Sequence, residues 1–271
     1  MEDARSGVED AKNGVEPLPS SHVSPVTHPA RLSGLRPSLA RAWLVLRHRW
    51  LGRRYGHLVI ETITDLSEPV GDLSLVVLPD VFNPVLFRGG ELLARTLAGP
   101  LFTPERFPAE AVAVLDMGCG SGVAAIVAAR RGAAVVAVDI NPAAVRCATL
   151  NALLNQVENR VQTRESNLFA AVAGERYDLI VFNPPFFRGR PKNALDHAWR
   201  GEDVFERFAA GLGEHLTPGG EAWVLLSSDG AGAELLALLA AKRLQIDIVA
   251  KRSWANEIMI VYGVRTAAVR E

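Results

Sequence analysis

Four consecutive residues, Asn183-Pro184-Pro185-Phe186, have the makings of a holder for a planar nitrogen. An amide or exocyclic amino nitrogen is a poor nucleophile because its lone pair is delocalised. Two acceptors aimed at its two N–H groups would fix it and favour the pyramidal geometry of attack. The Asn183 side-chain oxygen and the Pro184 backbone carbonyl are such a pair. Proline at 184 and 185 fixes two φ angles and restrains that carbonyl. Phe186 offers a flat face for stacking on a planar group. Group transfer to a nitrogen held this way needs alignment above all, since its proton becomes acidic once the new bond has formed.

A second constellation lies upstream, Asp116-Met117-Gly118-Cys119-Gly120-Ser121-Gly122, followed by Asp139 about twenty residues later. Gly118 and Gly120 let the chain turn tightly and let a ligand approach the backbone. A carboxylate at 139, at the end of the next strand, can accept from both ribose hydroxyls of an adenosine. Dinucleotide folds use G-x-G-x-x-G, which presents a helix N-terminus to a pyrophosphate. Here the spacing is G-x-G-x-G behind Asp116, whose charge repels a pyrophosphate and suits a cationic amino group. The implied ligand is an adenosine carrying an amino acid. In this pattern the chain resembles class I methyltransferases, and the resemblance implies S-adenosyl-L-methionine as cofactor.

Both motifs need strand ends to present them. From residue 111 onward, strand and helix patterns alternate: strands over 111–115, 134–138, 161–164, 177–182 and 221–226, and helices over 123–131, 142–155, 203–216 and 234–242. Asn141 with Pro142 behind it reads as an N-cap and first helical position. Residues 217–220, Thr-Pro-Gly-Gly, read as the turn ending a helix. Two closing apolar runs, 244–250 and 258–264, stand too close together to hold a helix and should pair antiparallel. The expected fold is α/β, a Rossmann-like doubly wound, mostly parallel sheet with a C-terminal antiparallel hairpin. Ahead of it, residues 1–34 read as a disordered tail. Residues 35–78 read as a helix with Leu39, Trp43, Leu46 and Trp50 on one face and arginines on the other, followed by short strands over 57–63 and 73–78. Residues 79–271 are the expected methyltransferase domain.

Over about residues 79–265 the chain resembles the HemK-type glutamine N5-methyltransferases that modify peptide-chain release factors, in the short form without the bacterial N-terminal helical domain. Asn183-Pro184-Pro185-Phe186 and the glycine turn carry most of the likeness. It implies cofactor contacts from Asp116, Gly118, Gly120, Asp139 and Asn183. Ser166-Asn167-Leu168-Phe169 resembles the family's adenine segment, with Asn167 where aspartate is usual, so Asn167 and Leu168 are expected at the adenine. Val81-Phe82-Asn83-Pro84 resembles the stretch that opens the domain in the short type. Leu86-Phe87-Arg88-Gly89-Gly90 replaces the threonine and acids that usually follow. His197-Ala198-Trp199-Arg200-Gly201 also resembles the short type, with His197 read as structural. The implied activity is methylation of a protein glutamine, with a release factor as substrate. The residues leave open a nucleobase substrate on RNA or DNA, a small metabolite, and a non-catalytic subunit stabilised by a partner chain.

Composition narrows the setting. The chain has 271 residues, 49% hydrophobic and 22% charged, enough apolar content for a substantial core. The net charge of −1 gives no general attraction to polyanions. Two cysteines without CxxC spacing point away from a zinc site or disulfide framework and toward a reducing, cytoplasmic setting, with no metal expected. No apolar run has the length to span a bilayer.

Overall fold

The computed structural model describes residues 46, 59–103, 106–107, 112–192, 195–254 and 257–266. The expected tail over 1–34 and the Arg-rich helix lie outside these residues, apart from Leu46, which is helical and exposed.

The described chain opens with β1 (Val59–Ile63) and β2 (Leu73–Val77), an antiparallel pair in register from Val59↔Val77 to Ile63↔Leu73. Helix α1 (Gly89–Ala98) follows. Then come β3 (Ala113–Met117), α2 (Val123–Arg130), β4 (Ala134–Asp139), α3 (Pro142–Leu154), β5 (Val161–Glu165) and β6 (Tyr177–Phe182). Two-residue β7 (Phe187–Arg188) pairs in parallel with β8 (Arg200–Gly201). Helix α4 (Val204–His215), β9 (Leu216–Ser227), α5 (Gly232–Ala241) and the hairpin β10 (Leu244–Trp254) with β11 (Glu257–Thr266) complete it.

Seven strands form one sheet in the order β10-β11-β9-β6-β3-β4-β5. The five from β9 to β5 run parallel, and β11 is antiparallel to both β9 and β10. Successive side chains alternate between two cores, as strand geometry demands. Val114, Val181, Trp223 and Leu225 pack with α1, α2 and the inner face of α3. Leu115, Ile180, Phe182, Val224 and Leu226 pack with α4 and α5. Covered on both faces, these strands are near-continuously apolar rather than alternating in polarity.

The direction in which strands are added across the sheet reverses between β3 and β6, so a crevice opens beyond their carboxyl ends. The two strands are in register from Val114↔Leu179 to Met117↔Phe182. Gly118 and Asn183 therefore leave adjacent strands at the same level.

Two expectations need correction. The Thr-Pro-Gly-Gly stretch is not a free turn but lies within β9, which begins directly after α4. The β6–β9 register jumps from Tyr177↔Leu216 to Leu179↔Glu221, so the extra residues bulge out opposite Asp178. Thr217 Oγ1 donates to Asp178 Oδ1 at 2.8 Å, and Gly219 takes a φ of 85°, which fixes the bulge. The closing strands are also longer than expected, reaching Trp254 and Glu257, because they continue past a register shift between Ile248 and Ala250.

Candidate active site

The glycine turn follows β3 in a run of left-handed backbone. Gly120 has φ 56° with open space where a Cβ would stand, so its side toward the cavity is bare backbone. Gly122 has φ 81°, and a Cβ there would lie 3.0 Å from the Ala148 Cα of α3. That contact is how closely the turn and α3 approach each other.

The two acids of this region are held by backbone N–H groups. Asp116 is 4% exposed, and its Oδ2 accepts from Ala125 N at 3.0 Å. Among the described residues no lysine or arginine pairs with it. Burial pushes its carboxyl up to about 7, opposed by the Ala125 hydrogen bond and helped by the nearby Asp139 charge. Asp139 takes Gly120 N on Oδ2 and Asn141 N on Oδ1, both at 2.9 Å. Burial raises Asp139 above the ordinary carboxylate value, while the Asn141 and Gly120 hydrogen bonds and the His197 charge pull it back. With two of its lone-pair sites taken, Asp139 keeps others for ligand hydroxyls. Asn141 caps α3 as expected, accepting from Ala143 N at 2.9 Å, and its amide donates to Asp80 O at 2.7 Å. Burial pushes the Cys119 thiol well above its usual range, with Asp139 and Asp116 adding to it. It therefore stays a neutral thiol with no nucleophilic part.

Asn167 and Leu168 border the same cavity beyond β5. Leu168 is in left-handed backbone, φ 55°, held there by Ser166 Oγ, which donates to Leu168 O at 2.7 Å.

On the β6 side, Asn183, Pro184, Pro185 and Phe186 all line the cavity. The Asn183 Oδ1 atom is buried and has no hydrogen-bond partner among the described residues. An orphaned acceptor inside a protein is costly, about 1–3 kcal/mol, unless something completes it. Phe186 is buried, and its carbonyl accepts from Ala231 N at 2.8 Å. The structure thus brings Asp116, Gly118, Gly120, Asp139, Asn167, Leu168 and the whole tetrapeptide to one cavity.

Residues outside the expected catalytic and cofactor set also enclose it. Phe82 and Pro84 come from the loop before α1, and Gly90 and Leu93 from α1 itself. His197 and Arg200 come from the segment after the tetrapeptide. Phe82, Phe87 and Trp199 form a ring cluster joining the two loops, with centroids 4.6–5.2 Å apart. Elsewhere, the guanidiniums of Arg88 and Arg252 each lie 5.3 Å from the Trp254 ring. Among the described residues no cluster of side chains could hold a metal ion, and no helix is long and apolar enough to cross a membrane.

Residues 73–251 match the family model described as the methyltransferase small domain. A putative protein N5-glutamine methyltransferase of Methanocaldococcus jannaschii is 35% identical over 157 residues, 55% of this chain and 78% of that protein. A release factor glutamine methyltransferase of Xylella fastidiosa is 39% identical over 127 residues, covering 42% of this chain and 45% of the relative. The chain thus spans less than half the length of that second relative. Among solved structures, a 16S rRNA N2 methyltransferase of T. thermophilus, determined with AdoMet and guanosine, superposes with a TM-score of 0.55 at 22% identity. That superposition covers 78% of this chain and 51% of the other. With about two thirds of its length inside the family match, the chain belongs to the methyltransferase small domain family, and its seven-stranded, mostly parallel sheet has the class I methyltransferase fold.

Proposed function

We propose that the protein is an S-adenosylmethionine-dependent N-methyltransferase whose acceptor is the side-chain amide of a protein glutamine. The orphaned Asn183 Oδ1, buried just beyond the carboxyl end of β6, carries this reading. A buried acceptor left open is the expected state of a site completed by a substrate N–H.

The residues of the cavity fit the cofactor. A buried acid without a counter-cation, a second acid anchored on backbone N–H groups and a bare glycine turn suit a nucleoside bearing an amino acid. Bound there, S-adenosylmethionine supplies an electrophilic methyl group. Asp116 would hold the amino group, Asp139 would accept from the ribose hydroxyls, and Asn167 and Leu168 would border the adenine. Asn183 Oδ1 and the Pro184 carbonyl accept the two N–H groups of the glutamine amide and hold its nitrogen in line with the methyl group. Phe186 packs on the amide plane. The nitrogen loses its proton after the bond to carbon has formed, so no side chain is needed as a general base.

The glutamine assignment draws on the named activities of the Methanocaldococcus and Xylella relatives. A release factor is the protein substrate this reading favours, and the cytoplasm its place of action. We read residues 79–271 as the catalytic domain and 35–78 as its N-terminal extension. One observation favours a nucleobase acceptor instead: two arginines lie against one half-buried indole, Trp254, a surface that suits a stacked base beside a phosphate.

The test is incubation with methyl-tritiated S-adenosylmethionine and cell lysate, with and without nuclease, beside an Asn183→Ala control. Label in a nuclease-resistant protein band, absent with the variant, supports the glutamine reading. Label lost to nuclease transfers the substrate to nucleic acid.

A further inference from the structure

The segment that follows the tetrapeptide returns to the site. Phe187 N donates to Trp199 O at 2.9 Å, and Gly189 N donates to Gly201 O at 3.2 Å, which closes the β7–β8 pair. Arg188 ties its base down, donating to Glu206, Glu234 and the Glu202 carbonyl. Trp199 locks its far end against Phe82 and Phe87. Between these anchors, the short 3-10 turn Leu195–Ala198 stands over the cavity, with its edge stapled by Trp199 N donating to Asp196 O at 2.9 Å. His197 of that turn borders the same cavity as Asp139, and its charge acts on that carboxylate. It makes no hydrogen bond with the described residues.

Asp139 is an acceptor and nothing else once ionised. It can take the two O–H groups of a ribose, but the two hydroxyl oxygens then still need a donor. Two neighbouring side chains that could donate are engaged: Asn141 Nδ2 on Asp80 O, and Ser166 Oγ on Leu168 O. Asn167 is taken by the adenine in the proposed reading. His197 is a donor at this end of the cavity with no partner among the described residues. We infer that His197 is a ligand-contacting residue that completes the ribose subsite opposite Asp139, so that the segment after the tetrapeptide serves the nucleoside as well as the acceptor. The ligand class it recognises is a ribonucleoside with a free cis-diol. This rests on the proposed cofactor reading, and it reverses the structural role that the sequence suggests for His197.

Calorimetric titration with S-adenosylhomocysteine tests it without any methyl acceptor. His197→Ala should weaken binding about threefold to tenfold, the worth of one hydrogen bond. His197→Gln, which keeps an N–H donor, should recover part of the loss. An analogue lacking the ribose 2′- and 3′-hydroxyls should bind wild type and His197→Ala equally, a result that a merely structural role would not give. Because the residue is exposed, the ligand-free melting temperatures of the three proteins should coincide. Unchanged affinity for S-adenosylhomocysteine in His197→Ala overturns the inference while leaving the cofactor reading in place. Absence of S-adenosylhomocysteine binding by the wild-type protein overturns both.

Discussion

The β3–β4 side of the cavity and its β6 side are finished to different degrees. On the first, each acid already has backbone partners from nearby in the chain: Asp116 takes Ala125 N, and Asp139 takes Gly120 N and Asn141 N. On the second, Asn183 Oδ1 has no hydrogen-bond partner among the described residues, and its surroundings are drawn from distant parts of the chain. A Cβ on Gly89 would stand 3.5 Å from Asn183 Nδ2, and one on Gly230 would stand 2.7 Å from Phe186 O. The contrast separates two kinds of site construction. On the proposed reading, the cofactor's pocket is organised by local hydrogen bonds before the ligand arrives. The proposed acceptor pocket keeps one group unsatisfied so that the substrate, at the moment of reaction, is its best partner.

Substitutions on the two sides should therefore fail in different ways. Asn183→Ala removes the acceptor that the proposed reaction uses and leaves Asp116 and Asp139 with their backbone partners. Its kcat should fall about a hundredfold to a thousandfold, the scale of losing one preorganised hydrogen-bonding group. Its affinity for S-adenosylhomocysteine should stay within about twofold, since the role proposed for Asn183 is toward the methyl acceptor and not the cofactor contact that the resemblance implies. A large loss of affinity in place of a large loss of rate would erase the contrast. Asp139→Asn is the mirror case. It turns an acceptor flanked by two N–H donors into an amide that must point an NH2 at one of them. S-adenosylhomocysteine affinity should drop about tenfold to a hundredfold, the cost of hydrogen bonds to a charged group. The kcat at saturating cofactor should be nearly preserved, measured in the same assay.

A third substitution probes the frame rather than the reacting groups. Gly230→Ala puts a methyl against the Phe186 carbonyl, a backbone atom that cannot rotate away. The Ala231 N to Phe186 O bond must then lengthen and the tetrapeptide shift. Small displacements of positioned groups cost rate steeply, so kcat should fall about tenfold with cofactor affinity unchanged. Equal kcat in the two proteins would show that the tetrapeptide is rigid without this clamp.

Legibility in the sequence divides along the same line. The strand–turn–helix around Asp116 and Asp139 is legible because its hydrogen bonds join residues close in sequence. Asn141 with Pro142 marks the start of α3 because capping is local. The start of α1 carries no such mark, since Arg88 occupies the cap position in left-handed backbone, φ 60°, without a side-chain cap. Residues 217–220 mislead for a related reason: Pro-Gly-Gly normally signals a turn, and here tertiary pairing with β6 takes it into a bulged strand. The ring cluster of Phe82, Phe87 and Trp199 is invisible in the sequence because its contacts to Trp199 join positions more than a hundred residues apart. No periodicity marks such a cluster. A lone histidine such as His197 likewise carries no spacing signal, and only its place on the same cavity as Asp139 gives it meaning.

The finest distinction between the two sides is one of protons. Burial raises Asp116 from the ordinary 3.8 to about 7. In the ligand-free protein the group therefore holds a proton between about pH 4 and 7 that the unfolded chain would release. Its contribution to folding stability is full below the unfolded value and is lost as pH rises through 7. Ligand binding has the opposite sign, because a cationic amino group prefers the ionised carboxylate. The ionised fraction falls from about one half at pH 7 to about one tenth at pH 6 for a group titrating at 7, so S-adenosylhomocysteine affinity should weaken about fivefold over that step. Binding below pH 7 should also release a proton, seen as a calorimetric heat that depends on the ionisation enthalpy of the buffer. In Asp116→Asn both effects should vanish, while the Asn183→Ala protein should keep them, since the orphaned amide has no proton to exchange. Affinity that is flat from pH 8 to 6 in the wild-type protein would mean that Asp116 does not face the ligand's cation, and the fully organised side of the cavity would then lack the one contact that tells this ligand from a plain nucleoside.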